Sequence, residues 1–211
     1  MSILAADKKA VAEWPSILGF PSRGKAVAHN YKKISINLTS LMAMGASGYS
    51  EHHSYIKEIE RSDNINNGLS IIRYHMERFL LIDNLSSLIK ASSPFLNECI
   101  VSFYDKETET YFTNEFEFNE FRNKTYLHRA SERMKIFCAG SGKAHFEIAS
   151  AIEEINSFSG KFENSNISDT FIPWMKDAFR KVSAKDEGCG TEAMFAVSTR
   201  ENPEFRFVEN C

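Results

Sequence analysis

Ile100-Val101-Ser102-Phe103-Tyr104, then Asp105-Lys106-Glu107-Thr108-Glu109, then the aromatic stretch Tyr111 to Phe121, is the passage whose reading decides the fold. Two runs rich in β-branched and aromatic residues flank a short charged turn, so the passage predicts an antiparallel hairpin. On its N-terminal side, Leu69, Ile72, Met76, Phe79 and Leu80 recur at helical spacing, after a first helical segment from Tyr49 to Arg61. These predict a helix pair covering one sheet face. Before them, Ile34 and Ile36 alternate with polar residues, and Leu41 to Met44 runs into Gly45-Ala46-Ser47-Gly48. Two strands ending at a glycine turn are expected there. Earlier still, the apolar stretch from Ser2 to Ala12, the break Trp14-Pro15-Ser16 and the run Ile17 to Phe20 predict strand, turn and strand.

On the C-terminal side come the strand-like Met134 to Cys138, the break Ala139-Gly140-Ser141-Gly142 and a helix carrying Phe146, Ala149, Ile152 and Ile155. Phe171, Trp174, Met175, Ala178, Phe179 and Val182 form an amphipathic stripe, with Thr170 as its cap and Pro173 in the first turn. A last hairpin is expected from Ala193 to Thr199 and from Phe205 to Val208. Strands, helix pair, strands, helix pair and closing strands are what two antiparallel sheets between two helical layers require. The fold class is therefore α+β, with one domain over residues 1–211.

Composition excludes several function classes. With 43% hydrophobic and 25% charged residues and a net charge of −3, the chain has ordinary globular usage and no basic stripe. Nucleic acid is not an expected partner. The charge at Asp7, Lys8 and Lys9 ends the first apolar run too early for a signal peptide or membrane span. Cys99, Cys138, Cys189 and Cys211 lie far apart with no Cys-x-x-Cys pair, which fits a reducing cytoplasm and predicts no zinc knot. His52 and His53 are adjacent, and His29, His75, His128 and His145 show no ligand spacing, so no metal is expected. Gly140-Ser141-Gly142-Lys143 is not a phosphate loop, because Cys138 and Ala144 stand where that motif needs a glycine and a hydroxyl residue. No cofactor is expected.

The motifs that carry chemistry are short and ordered. Ser22-Arg23 ends the second apolar run, Asn30-Tyr31-Lys32-Lys33-Ile34 holds a lysine 31 residues after Ser2, and Gly45 follows a strand. Gly140-Ser141-Gly142 precedes a helix, and Asp186-Glu187-Gly188-Cys189-Gly190 precedes the last hairpin. In this order they resemble the proteasome β-subunit family of N-terminal-nucleophile hydrolases, especially its bacterial HslV and Anbu branches. The resemblance implies a four-layer αββα sandwich and a peptidase subunit that assembles into a homo-oligomer, ring or helical. Peptide or unfolded protein would be its substrate, and an ATPase unfoldase a possible partner.

It also implies roles. Ser2, once Met1 is removed, would supply both the attacking hydroxyl and, through an α-amine of ordinary pKa about 7.7 to 8.0, the base. Lys33 would support it electrostatically, and Gly45 would give the oxyanion donor. Ser141, Asp186 and Cys189, the last in place of the family's serine, would orient the amine. The sequence departs from the pattern at Pro21, where the family has an aspartate. A second register is open, in which Ile3-Leu4-Ala5-Ala6-Asp7 is the second-strand motif that normally ends in that aspartate, and Ser2 is not the nucleophile. Two other readings stay beside the peptidase: a non-catalytic proteasome-like scaffold or binding protein, and an amidase of the wider class acting on a small molecule.

Overall fold

The computed structural model describes residues 1–8, 10–13, 25–29, 31–47, 56–74, 97–119, 122–129, 137, 139, 140 and 167–208. The chain is mixed α+β, with two principal antiparallel sheets and a separate two-stranded hairpin. Its strands are β1 (Ser2–Asp7), β2 (Ala10–Glu13), β3 (Lys25–Ala28), β4 (Ile34–Asn37), β5 (Met42–Ser47), β6 (Asn97–Asp105), β7 (Thr110–Asn119), β8 (Arg122–Arg129), β9 (Ala193–Ser198) and β10 (Arg206–Val208). The helices are α1 (Ile56–Glu60), α2 (residues 65–74) and α3 (Ile167–Ser183). The larger sheet runs β4-β5-β6-β7-β8 and the smaller β1-β9-β10, while β2 pairs, among the described residues, with β3.

Alternation of side chains along each strand builds three apolar clusters, because successive residues point to opposite sheet faces. Leu4 and Ala6 of β1 and Met194 and Ala196 of β9 point one way, meeting Ile34, Ile36, Ala43, Ile100 and Tyr111 of the larger sheet. Ile3 and Ala5 of β1 and Ala193 and Phe195 of β9 point the other way, onto Ile172, Met175 and Phe179 of α3. The far face of the larger sheet, carrying Met42, Met44, Cys99, Val101, Phe103 and Phe116, takes Ile59 of α1 and Ile72 of α2. Helix α2 comes closest at Gly68, where a Cβ would lie 2.8 Å from the Met42 methyl carbon. Among the described residues, no helix is long and apolar enough to cross a membrane.

A buried amide fixes how α1 meets the sheet. The Asn37 side-chain N–H groups donate to the carbonyl oxygens of Ile59 and Ser62 at 2.6 and 2.9 Å, and its Oδ1 accepts the Ser40 N–H at 2.8 Å. One side chain thereby satisfies carbonyls left over at the helix end and closes the β4–β5 turn. Leu41 takes a positive φ of 48° in that turn.

The β6–β7 hairpin, the β4 and β5 strands, the helices on one face and the closing β9–β10 hairpin stand where the sequence predicts them. Three expectations change. Gly45 lies within β5, paired with Ile34 and Ile100, and does not open a turn. Strand β8, for which the sequence carries no expectation, completes the sheet edge through pairing with β7. The stretch from Ser2 to Ala12 is two strands, β1 and β2. Helix α3 begins at Ile167, so Thr170 is inside it and Pro173 sits in its interior, where the proline removes one backbone donor. The expected strands at 17–20 and 134–138 and the helix around 146–155 lie outside the described elements.

Candidate functional site

Strand β1 has two ends with different chemistry. At its start, Ser2 faces the larger sheet, the same side as Leu4, and its Oγ lies 2.6 Å from Ser102 Oγ. Ser102 Oγ also reaches the Phe112 carbonyl at 3.4 Å, and either hydroxyl can be the donor between Ser2 and Ser102. In the smaller sheet Ser2 is paired with Ser198, whose hydroxyl lies 2.6 Å from the Tyr111 phenol and donates to the Pro203 carbonyl at 2.8 Å. The Tyr111 hydroxyl also stands 2.8 Å from the Thr199 carbonyl. Burial pushes the Tyr111 phenol above its ordinary pKa, against the opposing pull of the Ser198 hydrogen bond. The α-amine of Met1 sits here too, held below its ordinary value first by burial and then by the Arg200 guanidinium.

At the other end of β1, the chain meets the segment before β4. The Lys8 carbonyl accepts the Tyr31 N–H at 2.7 Å, and the Lys8 N–H donates to the Glu192 carbonyl at 2.9 Å. Lys33, half-buried, follows two residues after Tyr31, and its carbonyl accepts the Ala46 N–H at 3.4 Å. Gly45 is next to Ala46 and faces Leu4: a Cβ there would stand 3.6 Å from a Leu4 methyl. The smaller sheet starts at this end as well, with Ala193 paired to Asp7. The loop feeding it holds Asp186, whose carboxylate accepts the Gly188 N–H at 2.7 Å, and the buried free thiol Cys189, whose N–H donates to the Asp186 carbonyl at 3.1 Å.

Ser47 of β5 and Glu98 of β6 are paired at this same edge. Glu98 is 3% exposed, and one of its carboxylate oxygens accepts the Gly140 N–H. Gly140 has φ 93°, a left-handed conformation that a residue with a Cβ adopts only at a cost.

The five expected site residues that lie among the described residues are spread along β1 instead of meeting at one point. The Lys33 segment and the loop of Asp186 and Cys189 are tied to the Asp7 end of β1 through the Tyr31–Lys8 and Lys8–Glu192 backbone bonds, while Gly45 faces Leu4, midway along the strand. Ser2 starts β1, five residues from Asp7 along an extended strand, or about 16 Å at about 3.3 Å per residue, and two residues from Leu4. Ser141 and Pro21 lie outside the described residues. Gly45 is a central-strand residue whose backbone belongs to the ladder between β4 and β6, an arrangement that does not leave its N–H aimed at a reacting carbonyl. Reading from sequence missed Ser102, Tyr111, Ser198 and Glu98. Their signal was present: polar residues at the inward-facing positions of apolar strands, where burial demands a partner. Among the described residues, no three His, Cys, Asp or Glu come together as a metal site.

No protein-family model matches the chain, and no curated protein matches it.

Proposed function

We propose that this chain is a proteasome-like subunit that acts as a non-catalytic scaffold or binding protein, with Ser2 a structural hydroxyl and Ile3 to Asp7 the family's second-strand motif. The observation that carries the reading is the bond from Ser2 Oγ to Ser102 Oγ, at the end of β1 away from Lys33. A serine becomes a nucleophile when an adjacent base takes its proton. Ser102 is another neutral hydroxyl and cannot do so near neutral pH. The α-amine route requires the lysine beside the amine, and the backbone bond of the lysine segment runs from Tyr31 to Lys8, past the far end of β1.

The four-layer αββα arrangement is part of the same proposal. The three apolar clusters support it: α1 and α2 on the larger sheet, the two sheets on each other, and α3 on the smaller sheet. In the register supported here, Ile3 to Asp7 is the second-strand motif, and the Lys8–Tyr31 bond brings its end to the lysine segment. Self-association into a homo-oligomer, expected from the resemblance, belongs to the reading as well.

The test is to compare wild type with Ser2→Ala for hydrolysis of unstructured peptides and for particle size in light scattering. The reading expects equal, background-level hydrolysis and the same oligomer in both. Peptide hydrolysis that Ser2→Ala abolishes would overturn the non-catalytic assignment, and a 24.0 kDa monomer at micromolar concentration would overturn the assembly.

A further inference from the structure

We infer that Glu98 is a positioning residue, which fixes the backbone at Gly140 against the Lys33 end of the larger sheet. Three observations meet there. Glu98 opens β6 at an inward-facing position, two residues before Ile100 and four before Ser102, so its carboxylate enters the space between the sheets. It is 3% exposed, and a buried carboxylate needs donors to offset lost hydration. A donor is the Gly140 N–H, from 42 residues further along the chain.

Gly140 is in turn held in a left-handed backbone state that directs its N–H, and only glycine enters that state freely. Carboxylate and glycine therefore explain each other. An apolar side chain at position 98 would fill the same space without binding the turn, and any residue with a Cβ at position 140 would resist the conformation that presents the amide. A charge-assisted bond of this kind is stronger and more directional than a neutral one.

Amide hydrogen exchange and the ¹H shift of the Gly140 amide, followed by NMR in wild type, Glu98→Ala and Glu98→Gln, test it. In Glu98→Ala, exchange at Gly140 is expected to accelerate by at least about tenfold, while the amides of Val101 and Phe103 in the same strand keep their protection. Glu98→Gln keeps an acceptor oxygen and should restore most of the protection, yet move the Gly140 proton upfield because the acceptor is no longer charged. Unchanged exchange and shift at Gly140 in Glu98→Ala would overturn the inference. If Glu98→Ala fails to fold, Glu98→Gln carries the test, and a Gly140 proton that does not move there would overturn it. These readouts are independent of hydrolysis and particle size, so failure of the non-catalytic reading and failure of the Glu98 assignment are separately visible.

Discussion

The two ends of β1 are built from different materials. The Ser2 end gathers the hydroxyls of Ser2, Ser102, Ser198 and Tyr111, bonded to one another and to backbone carbonyls, beside the partly buried Met1 α-amine and the Arg200 guanidinium. At the Asp7 end stand Lys33, the Asp186 loop and the buried carboxylate of Glu98. Neutral hydroxyls satisfy buried polar atoms and hold two sheets in register, but they supply neither a base nor a charge to stabilise a transition state.

The largest test of this contrast is Leu4→Ala. Leu4 lies between the two ends, buried against Gly45 and the sheet interface, and its loss should cost about 2–5 kcal/mol in urea or thermal unfolding. A cost under about 1 kcal/mol would mean that β1 does not bind the sheets together. Tyr111→Phe comes next, removing a phenol from both the Ser198 hydroxyl and the Thr199 carbonyl, with an expected cost of about 1 kcal/mol at neutral pH.

Tyr111 also gives the Ser2 end a pH signature. Its folded pKa is raised above the ordinary value of 10.0, mainly by burial, so the neutral phenol is the form the fold favours. The associated stability is fully present below the unfolded value and is lost as pH rises through the folded one. Wild type should therefore lose stability above pH 10 more steeply than Tyr111→Phe. Parallel curves would contradict the buried hydroxyl network.

Ser2→Ala should cost less than about 1 kcal/mol, because Ser102 keeps its own acceptor at the Phe112 carbonyl. The smallest effect is at the β6–β7 turn beyond that end. There the Thr108 hydroxyl, at 2.6 Å, and then the Glu107 N–H hold the Asp105 carboxyl below its ordinary range. Thr108→Ala should raise the Asp105 pKa in an NMR titration with almost no change in melting temperature. An unmoved Asp105 would show that the turn is not closed by that hydroxyl.

Much of the fold was legible because apolar alternation writes itself into sequence. Ile34 and Ile36 read as a half-buried strand, the aromatic runs around Asp105 read as a hairpin, and Phe171, Met175 and Phe179 read as a helical stripe. What failed has a physical reason in each case. Strand β8 is an edge whose outer residues need not be apolar, with Leu127 60% exposed, so it lacked the pattern of a buried strand. Gly45 read as a turn because glycine usually marks one, whereas here it is flanked by a strand on each side. Pro173 read as a helix start because that is where proline costs least. The site was less legible. A spacing of 31 residues between Ser2 and Lys33 says nothing of distance, and only the pairing of β1 with β9 and the Lys8–Tyr31 bond reveal which end of β1 the lysine is near.

Disulfide trapping tests the placement of Ser2 most directly. Two hydroxyl oxygens 2.6 Å apart mark a pair of side chains that a disulfide can join with little movement, so Ser2→Cys combined with Ser102→Cys should crosslink under mild oxidation. Ser2→Cys combined with Lys33→Cys should not. Intact-mass and thiol-counting measurements on both double variants give the result. Crosslinking of 2 to 102 and not to 33 is what the account predicts; crosslinking of 2 to 33 with none to 102 would contradict it and return Ser2 to the lysine.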